Sequence, residues 1–338
     1  MGWLQFHYDR LKDLSSIIAE PFFHPFPTSS LRSMSEPVLQ FLTVGDPLAN
    51  TGASRRMAYW DWPAETADNT HVVICVHGLS RQGRDFDALA RHLQPHCRVI
   101  AVDVAGRGHS DWLADPMGYQ VPTYAADLAA LIVHLRSAQP ELLIDWVGTS
   151  MGGLIGMALA ALPALGLRRL VLNDVGPVLQ WEALQRIGTY LGRNPAFDSE
   201  QAACDYLASI STGFGPHTPE QWRVLSRPLL REREGRWWLH YDPAIAVPMR
   251  AMLAADPLAA QQGVRDGEAM LWSLFDRITA PTLLLRGADS DLLTAQTAER
   301  MAERGPRARC LSFPGVGHAP TLIAADQRTA VSDFLLAH

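Results

Sequence analysis

Leu142-Leu143-Ile144-Asp145-Trp146-Val147-Gly148-Thr149-Ser150-Met151-Gly152-Gly153 reads as a strand that turns sharply into a helix. The first part is a short apolar run. The middle, Gly148 to Gly152, fits G-x-S-x-G, and an Ala/Leu/Met-rich helical pattern follows from Leu154 to Leu162. A serine on such a turn is held in a strained backbone geometry with its hydroxyl above the sheet. Glycines flank it because a Cβ would clash in so tight a bend. The helix also aims free N–H groups and its positive dipole end at whatever sits over the hydroxyl.

Working outward, strands alternate with helices. Val38–Val44 and Arg56–Trp62 read as an antiparallel opening pair. Val72–Val76 is a short apolar run suited to a strand buried on both faces, and Val99–Asp103, Arg169–Asp174, Pro281–Arg286 and Arg309–Phe313 read as further strands, with helical spacing between them. This rhythm predicts an α/β fold with a mostly parallel sheet covered on both sides, and ligands at the strand C-termini. It breaks from about Pro177 to Phe275, a stretch rich in helical pattern, turns and tryptophans. The expected organisation is an N-terminal extension at 1–36, an α/β core at 37–176 and 276–338, and an inserted helical unit at 177–275. The extension has apolar residues at near-helical spacing, then a Pro-rich piece. It reads as a helix packed on the core or a poorly ordered tail, with an apolar helix at the active-site mouth or on a membrane surface as the sharper alternative.

A serine hydroxyl needs a base, and the base needs a carboxylate to orient it; the expected chain order is Ser, then Asp or Glu, then His. His318 follows the last strand in Gly315-Val316-Gly317-His318, and these glycines let the loop bend back. For the acid, Gly287-Ala288-Asp289-Ser290-Asp291 follows the penultimate strand. Asp291 is the first choice, Asp289 the alternative, and Asp174 an outside candidate whose simpler role is to hold the turn Asn173–Pro177. Two backbone N–H groups should form an oxyanion hole: one from Met151, next to the nucleophile, the other from Leu79 after His77-Gly78. Each such donor is worth about 3 kcal/mol in the transition state. No carboxylate or histidine is spaced to make His77 a metal ligand, and the expected chemistry needs neither metal nor cofactor.

Composition narrows the function classes. A net charge of −6 argues against a nucleic-acid partner, which calls for a basic face. Cys75, Cys97, Cys204 and Cys310 are scattered without a C-x-x-C pair, as in a reducing, cytoplasmic setting. The N-terminus lacks a signal-peptide pattern, and no apolar run is long enough for a membrane span. Arg231-Glu232-Arg233-Glu234 reads as a solvated helix or turn.

With these pieces in place the chain resembles the α/β-hydrolase superfamily over roughly residues 38–338. The resemblance rests on Val76-His77-Gly78-Leu79, Asp103–Ser110, Gly148–Gly153, Arg286–Asp291 and Gly317-His318. It implies an eight-stranded sheet with a helical cap inserted after the sixth strand, and it is most similar to the serine carboxylesterase and lipase-like branch. Relatives with Asp as nucleophile, the dehalogenases and epoxide hydrolases, are disfavoured by Ser150. The acid of the family often stands three residues after the glycine at 287, where this chain has Ser290. The implied activity is hydrolysis of a small, lipid-like or polymeric carboxylic ester through an acyl-enzyme. The alternatives are a carbon–carbon bond hydrolase of ring-cleavage products, a lactonase or cofactor-free peroxidase, and a ligand-binding receptor that keeps the fold.

Overall fold

A computed structural model describes residues 36–45, 54–65 and 70–337; the expected helix of the N-terminal extension lies outside them. The apolar runs become strands for the reason given by their composition. In β3 (His71–Val76) every residue from Val72 to Val76 is fully buried, and burial of such side chains stabilises by roughly 1.5–3 kcal/mol each. Alternation splits them between the two faces. Val72, Ile74 and Val76 join the core cluster under α2 (Val121–Ala138) and α3 (Met151–Ala160). Val73 and Cys75 join the cluster under α1 (Asp87–Leu93) and α10 (Ala325–Leu336).

The remaining strands are β1 (Val38–Gly45), β2 (Ser54–Trp62), β4 (Arg98–Asp103), β5 (Leu143–Thr149), β6 (Leu167–Asn173), β9 (Thr282–Gly287) and β10 (Arg309–Phe313), with α9 (Ala295–Glu303) between the last two. They form an eight-stranded sheet in the order β1-β2-β4-β3-β5-β6-β9-β10. β1–β2 and β2–β4 are antiparallel, and every other pairing is parallel. The order switches direction at β3, which lies between β4 and β5, so the loops leaving β3 and β5 open beside each other. Such a switch point is where α/β sheets bind ligands.

Between β6 and β9 come α4 (Trp181–Tyr190), α5 (Glu200–Ile210), α6 (Pro219–Ser226), β7 (Leu230–Arg233), β8 (Arg236–Leu239), α7 (Val247–Leu253) and α8 (Pro257–Phe275). The stretch is not purely helical. Arg231–Arg233, expected as helix or turn, belongs to the antiparallel hairpin β7–β8, which reverses at Glu234 and Gly235, both at positive φ. Packing overrides the local pattern here: Leu230 and Leu239, paired across the hairpin, are both buried, Arg231 is half-buried, and Glu232, Arg233 and Glu234 stay in solvent.

Candidate active site

Ser150 stands between β5 and α3 with φ 51° and ψ −115°, a conformation few non-glycine residues adopt. Its neighbours explain how it is held. A Cβ on Gly148 would lie 2.2 Å from the Gly152 carbonyl oxygen, and one on Gly152 would lie 2.0 Å from that of Val76. Only hydrogens there allow β3, β5 and α3 to approach so closely. Trp146, fully buried, donates from its indole N–H to the Gly152 carbonyl at 3.0 Å. The Ser150 amide donates to the Asn173 carbonyl at 2.9 Å, fixing the turn to the end of β6.

His318 arrives from the loop after β10. Its Nε2 is 2.9 Å from Ser150 Oγ and its Nδ1 is 2.7 Å from Asp174 Oδ2. An ionised carboxylate only accepts, so Nδ1 carries the proton and Nε2 is left to accept from the serine hydroxyl. Asp174 is fully buried. Its Oδ1 accepts from the Gly287 amide at 2.8 Å, and its Oδ2 also accepts from the Ser290 hydroxyl at 2.6 Å. The histidine loop is tied down as well: Asn173 Nδ2 donates to the Pro320 carbonyl at 2.8 Å, and the Gly317 amide donates to the Gly213 carbonyl at 2.7 Å.

The expectation that Asp291 or Asp289 orients the histidine is therefore corrected. Asp291 is exposed and pairs with Arg186 of α4 through two bonds of 2.6 and 2.9 Å. Asp289 is exposed too. The reason lies in the strand order. β6 sits between β5 and β9, with Asn173 paired to both Thr149 and Leu285, so the residue after Asn173 is next to the serine turn. The end of β9 contributes the Gly287 amide, and the loop after it Ser290, as donors to Asp174 instead.

Leu79 and Met151 flank the serine. A Cβ on Gly78 would lie 3.7 Å from that of Ser150, so the loop after β3 runs against the nucleophile. Met151 is the first residue of α3, whose N–H has no acceptor within the helix. Two buried side chains hold this region from beneath. His77 Nε2 accepts from the Val104 amide at 3.0 Å while Nδ1 donates to the Gly78 carbonyl at 2.7 Å. Burial pushes its pKa down to about 3, so the ring is neutral and both nitrogens are spent on backbone. Arg107, fully buried, donates to the carbonyls of Leu79 (2.9 Å) and Ala105 (2.6 Å), to the Tyr124 hydroxyl (2.9 Å), and to Met151 Sδ at 3.8 Å.

Ser150 and His318 open into a cavity of about 110 Å³. Ile187, Leu207, Ile210 and Leu229, all from the segment between β6 and β9, make its wall apolar, and Leu79 lines it from the core side. Two arginines reach it. Arg81 is committed to Asp85 by two 2.7 Å bonds and to the Leu225 carbonyl; Arg186 is held by Asp291 and its helix neighbour Tyr190. The cavity is smaller than the roughly 300–1,000 Å³ of drug-sized pockets. The arrangement can deliver a serine alkoxide to a carbonyl carbon and return the proton to a leaving group.

The alpha/beta hydrolase family model matches residues 73–333. A 3-hydroxybutyrate-oligomer hydrolase of Cupriavidus necator is 46% identical over 285 residues, covering 82% of this chain and 92% of that protein. A pimeloyl-(acyl-carrier protein) methyl ester esterase of Xanthomonas oryzae is 27% identical over 266 residues, or 76% of this chain and 91% of that one. Among solved structures, an alpha/beta hydrolase from Novosphingobium aromaticivorans superposes with a TM-score of 0.71 at 33% identity, covering 90% of this chain and 99% of its own. Sheet order, serine turn and sequence similarity agree: the chain belongs to the α/β-hydrolase family.

Proposed function

We propose that this protein is a carboxylic ester hydrolase working through an acyl-enzyme, with Ser150 as nucleophile, His318 as general base and then acid, and Asp174 as the group that orients His318 and stabilises its charged form. The observation that carries the reading is the continuous hydrogen-bonded line from Ser150 Oγ through His318 to buried Asp174, facing a cavity. Ser150 Oγ attacks the ester carbonyl as Nε2 takes its proton. The amides of Leu79 and Met151 receive the developing oxyanion. The alcohol leaves with the proton from Nε2, and water repeats the sequence in reverse roles. No cofactor enters these steps. Residues 177–275 act as the cap that closes the cavity and limits the acyl group to a short one.

The substrate class follows from the small, largely apolar cavity together with the similarity to the 3-hydroxybutyrate-oligomer hydrolase. We read it as a short hydroxy-acid oligoester. Four unpaired cysteines support a reducing, cytoplasmic setting, and no helix among the described residues is long and apolar enough to cross a membrane.

Initial rates on p-nitrophenyl esters of increasing acyl length, with Ser150→Ala as control, test the proposal. Turnover should peak at short acyl groups and fall by at least about 10⁴-fold in the variant. Folded wild-type protein that turns over no ester, or a Ser150→Ala protein that keeps its rate, would overturn it.

A further inference from the structure

Arg186 has no part in the serine chemistry, yet it reaches the same cavity as Ser150 and His318. It lies on α4 one turn before Tyr190, which also lines the cavity and hydrogen-bonds it, so the two present one face. Its partner Asp291 belongs to the loop after β9. The pair is bidentate, at 2.6 and 2.9 Å, but its guanidinium and carboxylate are 43% and 47% exposed, so water screens it and a second carboxylate can reach the guanidinium. Arg81, the other arginine of the cavity, is unsuited to exchange, since Asp85 and the Leu225 carbonyl occupy it in a largely buried setting.

We infer that Arg186 is the carboxylate-binding group of the substrate site, selecting esters whose alcohol portion carries a free carboxylate, as the carboxyl-terminal unit of a hydroxy-acid oligomer does. The inference rests on the hydrolase reading above and sharpens it. A guanidinium matches a carboxylate through two parallel hydrogen bonds, which fix orientation as well as charge. Asp291 holds that fork in place until the substrate carboxylate displaces it. Because Arg186 and Ser150 line one cavity, we seat the terminal carboxylate on Arg186 and the last ester bond at Ser150. Ser150 Oγ bonds to the carbonyl carbon, and the bond from that carbon to the terminal unit's oxygen breaks. The oxygen takes the proton from His318, and the terminal unit leaves as a hydroxy acid whose own carboxylate is still on Arg186. Water then releases the shortened chain from Ser150. The enzyme so cleaves the carboxyl-terminal ester bond of short oligomers.

The test uses the two halves of the ion pair against each other. kcat and KM are measured for the 3-hydroxybutyrate dimer as free acid and as methyl ester, on wild type, Arg186→Gln and Asp291→Asn. The free-acid to methyl-ester ratio of kcat/KM should fall roughly 10- to 100-fold in Arg186→Gln, mainly through KM, and rise roughly 2- to 5-fold in Asp291→Asn, where the competing anion is gone. If the pair is only a tie between segments, both substitutions break it and the ratios move together or not at all. That result, in a protein that still hydrolyses p-nitrophenyl butyrate, overturns the inference and leaves the hydrolase reading standing. Calorimetric titration of Ser150→Ala with 3-hydroxybutyrate and with its methyl ester decides the carboxylate site independently of turnover. Binding of the anion should be lost on adding Arg186→Gln; anion binding indifferent to that change overturns the inference. Thermal midpoints check that each variant is folded.

Discussion

The loops after β6 and β9 leave neighbouring strands at the same edge of the sheet, and each carries aspartate, yet they treat it in opposite ways. Asp174 is fully buried and its two oxygens take hydrogen bonds from His318, Ser290 and the Gly287 amide. Asp291 stands in solvent with one arginine. A buried carboxylate without donors is costly, and one with three is held rigidly; a rigid carboxylate is what a histidine needs to keep its tautomer. On the proposed mechanism the orienting acid is defined by which loop the sheet order brings beside the serine turn, with the other loop supporting it.

The sharpest way to break this comparison is Asp174→Asn, which tolerates the left-handed backbone at that position (φ 55°) and removes the charge. It should lower kcat on p-nitrophenyl butyrate by about 10³–10⁴-fold; a loss under tenfold would return the role to the β9 loop. A second buried group extends the rule to stability. His77 has its pKa pushed by burial to about 3 against 6.5 for a free histidine. Above pH 6.5 its neutral ring contributes fully. Below that value the unfolded chain takes up a proton that the folded one refuses, and the contribution declines as pH falls further. His77→Gln should cost about 1–3 kcal/mol at pH 7, and urea unfolding should show that gap narrowing from pH 6.5 to 5. A gap that widens would reverse the assignment. Smaller again is the gain from moving the acid across. Ser290 Oγ is 2.6 Å from the Asp174 carboxylate, so Asp174→Asn with Ser290→Asp should recover roughly tenfold of the lost kcat, and no recovery would mean that the β9 loop cannot aim at His318. Asp289→Asn, an exposed change, should stay within about twofold of wild-type kcat.

Much of the fold was readable because parallel strands buried on both faces write themselves as unbroken apolar runs, as Val72–Val76 and Leu283–Leu285 do. Ser150 and His318 were readable because each sits among glycines at a fixed place in the strand order. The acid was not, because nothing local to Asp174 or Asp291 says which strand neighbours β5. The one pointer was indirect: a serine, Ser290, at the position where the family often places its carboxylate. The β7–β8 hairpin was hidden for a different reason. Its alternating charges satisfy a solvated helix equally well, and only the partner of Leu230 across the turn decides.

The two groups beneath the loop after β3 have a consequence for how this enzyme could be retuned. His77 and Arg107 clamp the main chain at Gly78 and Leu79 from the side away from the cavity, while the Leu79 side chain lines the cavity wall. With the Leu79 amide in the proposed oxyanion hole, charge stabilisation and substrate fit would be separated within a single residue: the peptide is fixed by the foundation, and the side chain is free to vary. Position 79 is a dial for specificity that can be turned without rebuilding the chemistry.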